Sequence, residues 1–324
     1  HQCSGPASVV EVDVGQDHVV KALTHALDQG RLHHAWLFTG TRGVGKTTIS
    51  RIMAKALNCT GVDGKGQMTS QPCGQCQACT EIDAGRFVDY IEMDAASNRG
   101  VDDMSQLLEK AMYAPSSGRF KVYMIDEVHM LSKAAFNALL KTLEEPPPNV
   151  KFVFCTTEPT KVPDTILSRC QRFDFGTIAL TQIIERLADI AKSENMEVEP
   201  AALELVARRA AGSMRDSQSL FDQLLASADK RITAADVNRL LGTASDERLM
   251  ELFASIIARQ RNQSLTLFSH ALSEGAQLGE LTDQILNYLR DLMVLAAEAT
   301  NVPMISVSET NRGSLATQAR TWGL

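Results

Sequence analysis

His34-Ala-Trp-Leu-Phe-Thr39 runs directly into Gly40-Thr41-Arg42-Gly43-Val44-Gly45-Lys46-Thr47-Thr48, and this junction decides the fold. The first stretch reads as a buried strand, and the second satisfies G-x-x-x-x-G-K-[ST] in full. Successive backbone N–H groups of such a turn can wrap a polyphosphate, and the helix that follows points its positive end at the same anion. Lys46 would reach the β- and γ-phosphates, and the Thr47 hydroxyl would be a ligand for Mg²⁺. A flexible glycine turn ahead of a helix is the plain alternative, and the complete motif in register speaks against it. The chain is expected to bind a nucleoside triphosphate.

Further along, Lys121-Val-Tyr-Met-Ile-Asp126-Glu127 is an apolar strand that ends in adjacent carboxylates. Asp126 would hold Mg²⁺ through water, and Glu127 would polarise the attacking water. Two surface acids on a strand cap would look the same in isolation; the glycine turn some eighty residues earlier gives the pair its meaning. Thr157, after Phe152-Val-Phe-Cys-Thr156, ends the next strand, where a hydroxyl could bond the water or the γ-phosphate. A lone Thr there would mean nothing, because Thr favours strands and turns anyway. Arg169 in Ser168-Arg169-Cys170 and Arg215 in Gly212-Ser-Met-Arg215 are candidates to stabilise transition-state charge. Taken singly, each is as readily a salt-bridged surface residue.

Around these motifs the first half alternates strands with amphipathic helices. The pattern predicts strands at Trp36–Thr39, Val88–Met93, Lys121–Asp126, Phe152–Thr156 and Arg172–Phe175. Helices are predicted at Asp17–Gln29, Lys46–Asn58, Val101–Tyr113 and Lys133–Glu144. That alternation implies an α/β core with a parallel sheet covered on both faces. After about Phe175 the strand signal disappears and short helices with Ser, Thr or Pro starts take over.

The 324 residues suffice for two or three domains. No apolar run approaches the ~20 residues of a membrane span. The opening His1-Gln-Cys-Ser-Gly-Pro6 lacks the basic flank and apolar stretch of a signal peptide and reads as an altered start, so the expected compartment is the cytoplasm, with no membrane partner. A net charge of −7 argues against coating nucleic acid through bulk electrostatics, though local phosphate contacts stay open.

Four of the seven cysteines, Cys59, Cys73, Cys76 and Cys79, fall close together. Short C-x-x-C spacing lets neighbouring sulfurs face one point, and four thiolates satisfy tetrahedral Zn²⁺ with no open position, hence a structural role. An iron–sulfur cluster or a redox dithiol is the alternative; the spacing resembles a ferredoxin run, but its further C-x-x-x-C-P is missing.

With these residues assembled, the chain resembles the gamma/tau subunits of bacterial DNA polymerase III, the AAA+ motors of the replicative clamp loader. The resemblance rests on Val14-Gly-Gln-Asp-His-Val19, Gly30-Arg-Leu-His-His-Ala35, Gly40–Thr47, Gly85-Arg-Phe-Val-Asp89, Gly118–Leu131, Phe136–Pro147 and Ile166-Leu-Ser-Arg-Cys170. It implies an AAA+ core with a five-stranded parallel αβα sheet over residues 1–176, with a zinc-binding insertion at 59–79. A three-helix lid over 177–242 and a partial helical collar over 243–324 would follow. The same resemblance gives Thr157 the sensor-1 position and Arg215 the sensor-2 position. It makes Arg169 an arginine finger acting on ATP of a neighbouring subunit, and Cys59, Cys73, Cys76 and Cys79 the zinc ligands. Ser97, Asn98 and Arg99 would face DNA.

The implied activity is ATP hydrolysis, with ATP, Mg²⁺ and Zn²⁺ as cofactors and no polymerase site. The implied partners are other clamp-loader subunits in a hetero-pentameric ring, the sliding clamp and primer–template DNA. Three departures accompany the resemblance: Ser4–Glu11 lacks the family's basic Arg-Pro opening, the Cys59–Cys73 loop is long, and the collar reads as shortened. The rival functions are a non-hydrolysing scaffold subunit of the same assembly and an AAA+ DNA helicase.

Overall fold

The computed structural model describes residues 15–97, 101–299 and 301–323, which fall into two compact units that meet between Ala179 and Leu180. In the first unit, Asp17–Asp28 forms α1, with Val19, Leu23 and Leu27 buried on one face. Ala35–Thr39 follows as β1, with all five residues buried, and Lys46–Asn58 as α2. Next come Gln77–Asp83 (α3), Tyr90–Asp94 (β2), Val101–Ala111 (α4) and Lys121–Asp126 (β3). Lys133–Glu144 (α5), Val150–Thr156 (β4), Asp164–Leu167 (α6) and Gln171–Asp174 (β5) complete the unit.

The five strands form one parallel sheet in the order β2-β3-β4-β1-β5. Side chains alternate across it, as strand geometry requires. Trp36, Phe38, Val122, Met124, Val153 and Cys155 pack on one face with residues of α1 and α2. Ala35, Leu37, Tyr123, Ile125, Phe152 and Phe154 pack on the other with residues of α4 and α5. Because all strands run the same way, their C-terminal ends share one edge, and ligands of open α/β sheets bind there.

The strand expected at Val88–Met93 starts later. Val88 is 56% exposed, and the fully buried Asp89 is taken up by a turn rather than a ladder. Its carboxylate accepts the backbone N–H of Ser116 (2.9 Å), Ser117 (2.7 Å) and Gly118 (2.7 Å), which fastens the loop leading into β3. Asp89→Ala removes the buried acceptor that holds these part-buried donors and is expected to cost about 1–3 kcal/mol. Chemical denaturation checks this; a loss under about 0.5 kcal/mol would show that water replaces the carboxylate.

The second unit is mainly helical. Leu180–Ser193 (α7), Glu197–Val198 (β6), Pro200–Arg209 (α8), Met214–Ser227 (α9), Arg231–Ile232 (β7) and Ala234–Leu241 (α10) come first. Asp246–Ile257 (α11), Arg261–Ser273 (α12), Leu278–Ala296 (α13) and Arg312–Trp322 (α14) follow. The expectation that strands end near Phe175 needs one amendment: β6 and β7 form a two-stranded parallel pair. At two residues each, they are too short to leave a periodic signal. Helix starts are capped as the sequence suggested. Ser213 and Ser245 accept from the backbone N–H of Asp216 and Arg248, and Thr233 and Asp236 form a capping box. Phe253 and Tyr288 stack at 4.1 Å in the core of α11 to α14. No helix among the described residues is long and apolar enough to cross a membrane.

Candidate nucleotide and metal sites

The turn between β1 and α2 needs its glycines. Gly40, Gly43 and Gly45 have φ of 147°, 77° and 97°, a region that side chains disfavour. A Cβ on Gly40 would also lie 2.7 Å from the Phe175 carbonyl oxygen. Gln16, fully buried, braces the turn from outside: its amide nitrogen donates to the Gly176 carbonyl (2.6 Å) and reaches the Val44 carbonyl (3.4 Å). Its amide oxygen accepts from Gly176 N–H (3.0 Å). Sequence reasoning gave Gln16 no role, since a lone Gln before a helix carries no signal.

Lys46 is buried on the first turn of α2, and its ammonium donates to the carbonyls of Gly40 and Thr41, both at 2.7 Å. Burial lowers its pKa, and the acidic groups Cys155, Asp126 and Glu127 act in the opposite sense. The parallel sheet thus places Lys46 and the two carboxylates at the same edge, near enough for their charges to interact. Thr47 is half-buried, and Thr41, Arg42 and Thr48 are exposed on the same turn.

Asp126 ends β3 and pairs in register with Asp94 at the end of β2. Burial raises the Asp126 pKa; the Glu127 N–H and the Lys46 charge oppose that rise, while the Glu127 and Asp94 charges add to it. Asp126 and the Thr47 hydroxyl offer oxygen donors, the kind that Mg²⁺ prefers. Sequence reasoning gave Asp94 no role; it closes its strand as Asp126 closes the next.

Glu127 sits at φ 50°, in the left-handed region, at the start of a 3-10 turn over Val128–Met130. Thr157 donates its hydroxyl to the Glu127 carboxylate at 3.1 Å. The His129 ring stands 3.4 Å from the same carboxylate oxygen.

Arg169 occupies a different part of the unit. Its guanidinium donates to the Thr165 carbonyl (2.8 Å) and pairs with Glu144 at the end of α5 (3.0 Å). Arg215 is exposed on the first turn of α9, in the second unit. The Ser97 hydroxyl donates to Asp94 (3.1 Å), while Asn98 and Arg99 lie outside the described residues.

Cys59, Cys73, Cys76 and Cys79 converge, with their four sulfurs within 4.8 Å of one another. Zn–S bonds of about 2.3 Å place tetrahedral sulfurs about 3.8 Å apart, and Cys59 and Cys76 stand at 3.9 Å. Backbone N–H groups of Gly61 and Cys73 point at the Cys59 sulfur, and those of Gln75 and Cys76 at the Cys73 sulfur. Such donors support negative charge on sulfur. Burial tends to raise the Cys76 thiol, but hydrogen bonds from Thr60 and Cys79 outweigh it and bring it to about 6. Burial pushes Cys59 and Cys79 up instead. Arg119 ties the insertion to the core through the carbonyls of Leu57 and Gly66.

Comparison with known proteins shows the family to which the chain belongs. A family model described as DNA polymerase III, delta subunit, matches residues 15–179. A DNA polymerase III clamp-loader ATPase lid model matches 182–230, and a model of domain III of the gamma and tau subunits matches 232–321. The tau subunit of Salmonella typhimurium is 46% identical over 92% of this chain, and that of Escherichia coli 48% identical over 87%. The chain spans 46% and 43% of those two proteins, less than half of each. The gamma subunit of Buchnera aphidicola subsp. Baizongia pistaciae is 38% identical over 92% of this chain and 78% of its own length. Among solved structures, the RuvB Holliday junction branch migration motor of Thermotoga maritima superposes with a TM-score of 0.54. It is 22% identical and covers 96% of this chain and 97% of its own, a likeness of AAA+ fold alone.

Proposed function

The chain belongs to the gamma/tau family of DNA polymerase III clamp-loader subunits, and from that premise we propose that it is an ATP-hydrolysing motor that opens the sliding clamp and loads it on primer–template DNA. What supports this reading is that Lys46 follows β1 while Asp126 and Glu127 follow β3, at the shared C-terminal edge of one parallel sheet, with the carboxylate charges acting on Lys46. A decayed, non-hydrolysing scaffold subunit would have no need of all three.

In this reading the N–H groups from Gly40 to Thr48 cradle the phosphates, and Lys46 exchanges its carbonyl partners for phosphate oxygens. Thr47 and Asp126 would hold Mg²⁺, which supplies charge neutralisation across the β- and γ-phosphates when bound. Glu127 orients the attacking water and takes its proton, while Thr157 fixes one carboxylate oxygen. Arg215 would sense nucleotide from the lid. Cys59, Cys73, Cys76 and Cys79 would hold a structural Zn²⁺. Ser97, Asn98 and Arg99 would contact DNA phosphate. The division into a core to residue 176, a lid over 177–242 and a collar over 243–324 belongs to the same proposal, and the separate lid and domain III matches support it.

Arg169 would act in trans, reaching the γ-phosphate on the next subunit of a ring, so that hydrolysis weakens the joint between subunits. Arg169→Ala in the assembled complex is expected to lower DNA-stimulated turnover by about 10³-fold or more, with nucleotide affinity unchanged. Steady-state phosphate release beside equilibrium nucleotide binding checks this, and unchanged turnover removes the trans role.

A further inference from the structure

His129 lies three residues beyond Asp126 and is 5% exposed, although its ring carries two polar nitrogens. Both are engaged. Nδ1 stands 2.8 Å from the Thr156 hydroxyl and 3.4 Å from a Glu127 carboxylate oxygen. Nε2 stands 3.2 Å from a carboxylate oxygen of Glu158. Glu158 is itself held: its backbone N–H donates to the Thr156 hydroxyl at 3.0 Å, and its other carboxylate oxygen pairs with Lys161 at 2.8 Å. One ring therefore ties the turn after β3 to the turn after β4, and the Glu127 carboxylate lies where both turns meet.

We propose that His129 is a positioning residue for Glu127, with Glu158 orienting the ring from behind. Glu127 needs such help. Its backbone is in the left-handed region, and Thr157 alone restrains its carboxylate by a 3.1 Å bond. A single hydrogen bond leaves a flexible side chain free to pivot, and a displacement of about 1 Å at a reacting group can cost on the order of 10²-fold in rate. The imidazole adds a second neighbour to the same carboxylate oxygen that Thr157 holds. It reaches the carboxylate through Nδ1, the nitrogen nearer the backbone. The nitrogen farther out serves only the ring's own anchorage.

This inference rests on the hydrolytic reading, and the two are separable by experiment. Phosphate release and ATP affinity are measured for the full-length protein assembled with its partner subunits, as wild type, Glu127→Gln, His129→Ala, His129→Asn and His129→Gln. His129→Ala is expected to lower kcat roughly 10- to 100-fold with little change in KM for ATP. The asparagine amide stands where Nδ1 stood and can donate its N–H toward the Glu127 carboxylate while its oxygen accepts from the Thr156 hydroxyl, so His129→Asn restores most of kcat. The glutamine amide stands where Nε2 stood, reaches Glu158 only, and stays near the alanine value. Full turnover in His129→Ala, or equal rescue by Asn and Gln, overturns the positioning role and leaves the ring as packing. A wild type that releases no phosphate, or a Glu127→Gln variant that releases as much as wild type, overturns the hydrolytic reading and this inference with it.

Discussion

Glu127→Gln is expected to lower phosphate release by roughly 10²- to 10⁴-fold, the usual range for loss of a general base, while ATP stays bound. That is about 3–5 kcal/mol of transition-state stabilisation. The substitution is nearly isosteric and keeps an oxygen for the Thr157 hydroxyl, so the turn after β3 has no reason to move. Lys46, Thr47 and the glycine turn are untouched, and with them the contacts to phosphate. Single-turnover phosphate release beside equilibrium binding of a fluorescent nucleotide separates the two effects. A variant that hydrolyses at the wild-type rate would remove Glu127 from the chemistry, and one that fails to bind would mean that the carboxylate organises the empty site instead.

Metal loss from the four-cysteine insertion carries the other large effect. Structural zinc contributes on the order of 10 kcal/mol of apparent binding free energy in small zinc peptides, so the segment from Cys59 to Cys79 is expected to unfold without it. The damage reaches farther, because Cys59 is also the C-cap of α2, its N–H bonded to the Lys55 carbonyl. Cys79→Ala should therefore abolish stoichiometric zinc and lower the melting temperature by many degrees, whereas Cys155→Ala should leave zinc content unchanged. Because the ligands bind as thiolates, protons compete with the metal, and the loaded form should weaken as pH falls. Elemental analysis with thermal unfolding, before and after a chelator, checks this. Iron in place of zinc, or a melting point indifferent to chelation, would refute the assignment.

The sequence was most legible where chemistry and geometry coincide. The bounds of α2, β3 and α5 emerge as the pattern predicts, because each begins or ends at a residue with one structural option: Gly45, Asp126 and the Ser132 cap. Lys46, Asp126, Glu127 and Thr157 were readable because a nucleotide motif specifies residue type at fixed spacing. Gln16, Asp94, His129 and Glu158 were not, since each depends on which strand ends lie side by side. The order β2-β3-β4-β1-β5 follows no local pattern. The short α3 and the C-terminal α14 escaped for a different reason. Gln77–Asp83 is too brief for periodicity to emerge, and Arg312–Trp322 buries only Leu315 and Ala319.

The strand order also sets a timetable for biosynthesis. β1 pairs with β4 and β5, so this apolar ribbon has no sheet neighbour until translation has passed Val150–Thr156. At ~5–20 residues per second that is a wait on the order of ten seconds. Throughout it, Trp36 to Phe38 must be sheltered by local helices or a chaperone. Ribosome pausing between β1 and β4 should therefore depress soluble yield more than pausing after β5.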